Sequence, residues 1–281
     1  MEKEFCLYIK VADVIFKFNF QATDWLPIRD FYIKQFVFFF KPFLINSPQL
    51  GVDYTINIVS KKRYKYILKN RKTELYILLY KKKVTYNAES YYHLSIIQLI
   101  MIIEIILQKL LLKNDGFLLH SSVSGLKNRS MIFLGKEGAG KSTITQLIAP
   151  EYPILADDRS YIRKKLNKFY FYRPLYSEKN QNVKKNVKKY GIYGVFFLKK
   201  SKNCKIVEVK DSNVIIDRLL KQIVTNPELI DKQMKALYEF IKINKFYLFY
   251  FNKNKGDLIT VMNAFVKNNY GQTQLGHPQP Q

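Results

Sequence analysis

Cysteine and tryptophan are scarce in this 281-residue chain, which contains two cysteines and one tryptophan. Cys6 and Cys204 lie far apart in the sequence and match no metal-binding or redox spacing. A disulfide framework and a cysteine-based metal site are therefore excluded. We expect both thiols to be reduced, as is typical of a cytoplasmic protein. Residues Met1 to Glu4 also lack the charged-then-apolar layout of a secretory signal.

Long uninterrupted apolar runs are also missing. The most apolar segment, Leu94–Leu112, is interrupted by Gln98, Glu104, Gln108 and Lys109. Glu104 would lie near the middle of a bilayer, which would cost about 3 kcal/mol. The segment is therefore predicted to be a buried helix, and no transmembrane segment is expected.

Acidic residues are few, with 22 against 47 basic residues, which gives a formal net charge of +25. Arginine provides only eight of the basic residues, and the abundant lysine accompanies many Asn, Ile, Tyr and Phe residues, as expected of an AT-rich genome. A solvated lysine surface accounts for this composition, and a polyanion-binding face is the alternative. No arginine-rich patch or known RNA-binding module is visible, which argues against nucleic acid as a partner. The net charge alone does not exclude it.

The hydrophobic pattern predicts a β-rich first part of the chain followed by a long helix. An antiparallel meander is expected from strands at Phe5–Val11, Val14–Phe20, Val52–Val59, Tyr64–Leu68, Glu74–Tyr80 and Lys83–Tyr86. Helices are expected from a cap at Asp24 to Phe40 and over Glu89–Lys113.

Strands and helices alternate in the second part of the chain. Strands are predicted at Phe117–Val123, Met131–Leu134, Ile154–Ala156, Ser160–Ile162, Lys168–Arg173, Gly194–Lys199, Ile206–Val209 and Phe246–Phe251. Helices are predicted at Lys141–Ala149, Asn213–Val224, Pro227–Ile243 and Gly256–Phe265. The lysine-rich segment Glu178–Lys189 is predicted to be an exposed loop, with a substrate-facing lid as the alternative.

One segment, Met131–Thr143, has the order of an apolar strand, a glycine-rich turn and a helix start, and it fits G-x-x-x-x-G-K-[S/T]. Gly135 and Gly140 allow backbone angles that other residues avoid, so the main chain can close around a phosphate. Lys141 adds a positive charge beside the β- and γ-phosphates, and Ser142 offers a hydroxyl to Mg²⁺. The motif predicts a site for a nucleoside triphosphate and Mg²⁺ formed by Gly135, Lys136, Glu137, Gly138, Ala139, Gly140, Lys141, Ser142 and Thr143.

Two further features accompany this motif. Asp157 and Asp158 follow the short strand Ile154–Ala156, which predicts carboxylates at the edge of the sheet beside the glycine-rich turn. One carboxylate can bind Mg²⁺ and the other can accept a proton from an attacking hydroxyl, whereas a simple turn is the alternative. His120, at the end of its strand, can hydrogen-bond a phosphoryl oxygen, with a structural role as the alternative.

These segments together resemble the catalytic domain of HPr kinase/phosphorylase. Leu118–Ser122, Gly135–Ser142 and Leu155–Arg159 are similar to that family's histidine-containing strand, phosphate loop and Ala-Asp-Asp-Arg segment, in the same order. More loosely, Gly191–Val224 is similar to the stand-alone HPr kinase-like proteins that are often encoded with modified-peptide biosynthesis genes.

The resemblance implies a role for each matching residue. The family's phosphate-binding lysine falls on Lys141, its magnesium-binding hydroxyl on Ser142 and its active-site histidine on His120. Its catalytic aspartate falls on the Asp157–Asp158 pair, and we assign the catalytic role to Asp157 and the metal to Asp158. Two departures argue against HPr itself as the substrate and against phosphorylase activity. Thr143 stands where the HPr enzymes carry Glu, and Arg173 to Tyr176 stand in place of the family's second signature.

The sequence therefore predicts an α/β protein with a β-rich region over residues 1–88, a connecting helix over 89–116, and a P-loop kinase core of the HPr kinase/PEP carboxykinase type over 117–270. A disordered tail is expected over 271–281. The expected activity is ATP- and Mg²⁺-dependent phosphorylation of a hydroxyl, such as a Ser or Thr of a peptide or protein. A nucleotide-binding scaffold or chaperone without phosphotransfer and a polyanion-binding NTPase are the alternatives. The sequence does not decide between ATP and GTP. It also does not show whether the chain forms a homo-oligomer.

Overall fold

The computed structural model of the chain describes residues 5–21, 26–48, 51–59, 81–84, 86–175, 189–225 and 229–270. These residues form two compact units, one ending at Asn114 and the other beginning at Asp115. Each unit combines a β-sheet with helices, so the fold is mixed α/β. Several predicted features lie outside the described residues, namely the cap at Asp24, the strands at Tyr64–Leu68 and Glu74–Tyr80, most of the loop at Glu178–Lys189, the helix start at Pro227 and the tail 271–281.

In the described part of the first unit, the strands form one sheet in the order β3-β1-β2-β4-β6-β5. The elements of this unit are β1 (Phe5–Val11), β2 (Val14–Phe20), α1 (Leu26–Phe40), a 3₁₀ turn (Lys41–Phe43), β3 (Leu44–Ile45), β4 (Tyr54–Val59), β5 (Lys81–Val84), β6 (Asn87–Tyr91) and α2 (Ile96–Lys113). The predictions for β1 and β2 are confirmed at both ends. The predicted antiparallel meander is wrong, because β2 pairs with β4, and β4 with β6, in parallel. The connection from β2 to β4 contains α1, and a helical crossover joins parallel strands.

The long helix begins later than predicted. Residues from Glu89 were expected to be helical, but β6 occupies Asn87–Tyr91 and α2 starts at Ile96. Ser95 and Gln98 form a reciprocal capping box, in which the Ser95 hydroxyl accepts the Gln98 amide at 3.2 Å and the Gln98 side chain accepts the Ser95 amide at 3.0 Å. These two hydrogen bonds provide acceptors for backbone amides at the helix start that have none within the helix. No helix in the described ranges is both long enough and apolar enough to cross a membrane.

Aromatic residues form the core of the first unit. Phe16, Phe18 and Phe20 alternate along β2 on one face of the sheet, and all three are fully buried. The ring of Phe36 in α1 lies 4.7 Å from that of Phe18 and 5.4 Å from that of Phe20. Such ring pairs add to the hydrophobic stabilisation from burial. The alternating buried residues of β2 thus explain both the strand and the position of α1.

The second unit contains the remaining elements around the long strand β13. They are β7 (Gly116–His120), β8 (Ser122–Leu126), β9 (Arg129–Leu134), α3 (Lys141–Ile148), β10 (Ile154–Ala156), β11 (Arg159–Lys165), β12 (Lys168–Tyr172), β13 (Tyr190–Lys200), β14 (Lys205–Glu208), α4 (Ser212–Leu220), α5 (Ile230–Ile243), β15 (Phe246–Phe251) and α6 (Lys255–Tyr270). The main strand order is β10-β8-β9-β13-β12-β11-β7, and β15 pairs with β13 and β14. Because β9, β13 and β15 are parallel, their carboxyl ends lie at the same edge of the sheet.

Two boundaries in this unit differ from prediction for tertiary reasons. The single strand expected over Phe117–Val123 is broken at Ser121, because β7 pairs with β11 whereas β8 pairs with β9 and β10. The helix expected to reach Val224 ends at Leu220. Beyond it, the Gln222 carbonyl accepts the amide of His120 at 2.7 Å, which holds the chain against the end of β7.

Helices cover both faces of the second sheet. On one face, Ile144 of α3 and Met262 of α6 belong to the same buried cluster as Phe196 of β13. On the other face, Phe240 of α5 packs edge-on against Phe117, with ring centroids 5.2 Å apart. This packing fixes the sheet edge at which the candidate site lies.

Candidate functional site

The segment Gly135–Gly140, here called the glycine loop, connects β9 to α3. Gly140 is the N-cap residue of α3 and has a φ of +98°. A Cβ atom at this position would lie 2.7 Å from Cζ of Phe251, so both backbone conformation and space require glycine. Gly135 was expected to need unusual backbone angles, but its φ is not positive. Its requirement is close packing, because a Cβ atom there would lie 2.7 Å from Cβ of Ala139.

The cation of the motif lies against the loop itself. Lys141 is the first residue of α3, and its side chain is buried. Its ammonium donates a hydrogen bond to the carbonyl of Gly135 at 2.7 Å. A loop of this form before a helix N-terminus can bind anionic oxygens, and the lysine adds a full charge to that site.

A buried carboxylate lies beside the first turn of α3. Asp157, directly after β10, is 1% exposed. One of its oxygens, Oδ1, accepts the hydroxyl of Ser142 at 2.8 Å and the hydroxyl of Ser122, the first residue of β8, at 2.7 Å. The sequence-based prediction paired Ser142 with Asp158 for the metal, whereas the structure brings Ser142 next to Asp157.

The donor set formed by Ser142 and Asp157 is suited to Mg²⁺, which binds proteins through one or two carboxylate or hydroxyl oxygens. Among the described residues, no group of three or more His, Cys, Asp or Glu side chains could hold a metal by itself. Phosphate and water oxygens would therefore have to supply the other ligands, as is usual for magnesium in nucleotide sites.

The second carboxylate forms a separate group with an imidazole. Nδ1 of His120 lies 3.2 Å from Oδ1 of Asp158, and Nε of Arg159 lies 3.6 Å from its Oδ2. Asp158 has a φ of +78°, a conformation that is uncommon outside glycine but tolerated by aspartate. The sharp turn is required because Arg159 already begins β11 and pairs with His120. The side chain of Asp158 is 21% exposed and thus reachable from solvent.

Two clefts meet at the glycine loop. The carboxylate cleft, of about 740 Å³, is lined by His120, Glu137, Gly138, Gly140, Lys141, Ser142, Thr143, Asp157, Asp158, Lys200, Ser201, Phe251, Asn252 and Lys253. The basic cleft, of about 970 Å³, is lined by His120, Leu134 to Ala139, Phe197 to Lys200, Asp217, Arg218 and Lys221 to Val224. Every residue predicted for the site therefore borders at least one of the two clefts, and His120 borders both.

Sequence reasoning missed three contributors. Ser122 was part of a recognised segment, but only strand pairing shows that its hydroxyl reaches Asp157. Phe251 packs on Gly140, more than one hundred positions earlier in the chain, and Arg218 lines the basic cleft. No local sequence pattern indicates either contact. One general rule could have indicated Phe251: ligands bind near the carboxyl ends of parallel strands, and Phe251 is the last residue of β15.

The comparisons with known proteins give little beyond these observations. No family model matches the chain, and no curated protein matches it. Among solved structures, the Hpr(Ser) kinase/phosphatase from Coxiella burnetii is similar at 11% identity and a TM-score of 0.34, over 56% of this chain and 98% of that chain.

Proposed function

We propose that the chain is a Mg²⁺-dependent kinase that transfers the γ-phosphoryl group of ATP to a hydroxyl, such as a Ser or Thr of a peptide or protein. In this proposal the second unit is a P-loop kinase core of the HPr kinase/PEP carboxykinase type. The observation that carries it is the separation of two acidic groups beside one glycine loop. Asp157 lies with Ser142, and Asp158 lies with His120, on the same cleft.

The glycine loop and Lys141 would bind the phosphates, and Ser142 with Asp157 would hold Mg²⁺. Bound magnesium would neutralise charge on the β- and γ-phosphates. This reverses the roles expected from the sequence, where Asp158 served the metal and Asp157 the proton. We assign them in this way because Asp157 is almost fully buried and already contacts the hydroxyl that the metal needs.

Asp158 would act as the general base, with His120 as its positioning partner. The acceptor hydroxyl would give its proton to the Asp158 carboxylate while its oxygen attacks the γ-phosphorus. The bond from that phosphorus to the β–γ bridging oxygen would break, and ADP would leave with its new charge opposite Lys141. The partial exposure of Asp158 suits this role, since a base must meet a substrate that enters from solvent.

The test combines nucleotide binding with phosphate transfer. Lys141→Ala removes a charge-assisted contact and should weaken Mg²⁺–ATP binding by about tenfold to a hundredfold in calorimetry. Asp158→Asn should keep ATP affinity within a few-fold and reduce radiolabel transfer to Ser/Thr peptide mixtures by about a hundredfold or more. Equal ATP affinity of the wild type and Lys141→Ala would refute the nucleotide site. If the wild type binds ATP but labels no hydroxyl substrate, the scaffold alternative is favoured.

A further inference from the structure

The basic cleft adjoins the carboxylate cleft, and the two share His120, Glu137, Gly138 and Lys200. Lys141, Ser142 and Asp157 line only the carboxylate cleft. Five of the six residues of the glycine loop, Gly135 to Ala139, line the basic cleft. A nucleotide whose phosphates and metal lie against Lys141, Ser142 and Asp157 would therefore leave open the part of the basic cleft that the carboxylate cleft does not share, around Arg218 and Lys221.

His120 connects this open cleft to the proposed chemistry. It borders both clefts, and its Nδ1 is 3.2 Å from the carboxylate that we assign as the base. A molecule bound in the basic cleft could thus present a hydroxyl next to Asp158. This location is the one that an acceptor requires.

The charge of the cleft indicates what the acceptor carries. Its charged lining consists of Lys136, Glu137, Lys199, Lys200, Asp217, Arg218 and Lys221. Asp217 is paired with Lys221 at 2.6 Å, so this pair is nearly neutral as a unit. The four remaining basic side chains face one acidic side chain, Glu137, and the cleft is therefore positive.

Arg218 is the best-placed of these cations. Its guanidinium lies over the ring of Phe197, 5.5 Å from the centroid, and this contact helps to fix its position. Within the described part of the chain, no carboxylate forms an ion pair with Arg218. A planar guanidinium in this state is suited to bidentate binding of a carboxylate.

We infer that the basic cleft binds the acceptor, and that the acceptor is a peptide segment with acidic residues close to the phosphorylated Ser or Thr. This inference rests on the proposed kinase function. Nucleic acid fits the cleft less well, because Phe197 is 2% exposed and its ring is covered by Arg218, so it offers no face for base stacking. Val224, which is exposed and lines the cleft, would instead contact an apolar side chain of a peptide.

The experiment uses three synthetic peptide mixtures with a central Ser whose neighbours are acidic, neutral or basic. Fluorescence anisotropy measures the binding of each labelled mixture to the full chain with a non-hydrolysable ATP analogue, and radiolabelling measures transfer. We expect the wild type to prefer the acidic mixture. Arg218→Glu should weaken its binding by about tenfold to a hundredfold and favour the basic mixture. Lys232→Glu, an equal charge change at an exposed position of α5 outside both clefts, should have little effect.

Other outcomes would overturn the inference and leave the kinase proposal intact. One is that the wild type binds and labels the three mixtures equally. Another is that Arg218→Glu and Lys232→Glu behave alike. A loss of ATP affinity in Arg218→Glu would instead make the basic cleft part of the nucleotide site. Competition by a single-stranded oligonucleotide as strong as that by the acidic mixture would point to nucleic acid. Binding in the expected pattern without transfer would support the ligand class and refute the kinase proposal, since anisotropy needs no reaction.

Discussion

The hydroxyl of Ser142 donates a hydrogen bond to Oδ1 of Asp157 at 2.8 Å. The same oxygen accepts the hydroxyl of Ser122 at 2.7 Å, so residues from α3 and β8 hold one buried carboxylate in place. Asp158, the next residue, contacts His120 instead. Adjacent carboxylates thus have different partners, and each can be tested separately.

The dependence of nucleotide binding on Mg²⁺ should be lost when the Ser142–Asp157 pair is changed. Ser142→Ala and Asp157→Asn should each remove most of the gain in ATP affinity that Mg²⁺ provides, because each removes an oxygen ligand or its charge. Calorimetric titration of ATP with Mg²⁺ and with a chelator measures that gain. Asp158→Asn is the matched control and should retain it. The reverse pattern, with only Asp158→Asn affected, would restore the roles predicted from the sequence.

His120 should matter for transfer more than for folding. Its side chain is 43% exposed, so His120→Ala removes only part of a side chain's buried surface and should lower the melting temperature little. The rate of transfer should fall, because Asp158 loses the group that orients it. His93→Ala, at an exposed position in the first unit, is the control and should change neither quantity. A large drop in melting temperature with full activity per folded molecule would make His120 structural.

Gly140→Ala should destabilise the fold more than Gly138→Ala. Both positions have positive φ, which costs a non-glycine residue about 1–2 kcal/mol. The new Cβ at position 138 would meet no atom within 4 Å, whereas at position 140 it would lie 2.7 Å from the ring of Phe251. Urea unfolding measures both costs. Adding Phe251→Leu should recover part of the loss in Gly140→Ala, and equal costs for the two single variants would contradict the packing argument.

Acid should weaken one ion pair between β11 and α5. A hydrogen bond from Lys164 to Glu239 at 2.8 Å lowers the pKa of the Glu239 carboxyl below its ordinary value. The folded pKa is below the unfolded one, so the stabilisation is present above the unfolded pKa and is lost as the pH falls through the folded pKa. Between neutral and acidic pH, the melting temperature should therefore fall less in Glu239→Gln than in the wild type. Asp231→Asn, at an exposed position of the same helix, should reproduce the wild-type slope. An identical slope in Glu239→Gln would show that the pair contributes nothing to stability.

Local patterns were sufficient where the neighbours along the chain decide the structure. The strands Ile154–Ala156 and Phe246–Phe251 were predicted at both ends, because each is a short apolar run next to residues that favour turns or loops. The start of α3 at Lys141 also follows from its own sequence, since the glycines before it allow the turn. The helix start at Ile96 was missed, although its capping box is local, because residues 89–95 contain no proline or glycine that would mark a boundary.

Sequence alone determined the glycine loop, the lysine and hydroxyl that follow it, and the two aspartates and histidine that accompany it. Only the tertiary structure decided which aspartate lies beside which partner. That choice depends on the turn at Asp158, whose φ of +78° allows β10 to end on β8 while β11 begins opposite His120. The pairing of strands distant in sequence fixes this turn, and the turn directs two adjacent carboxylates to different partners, which no local pattern of residues specifies.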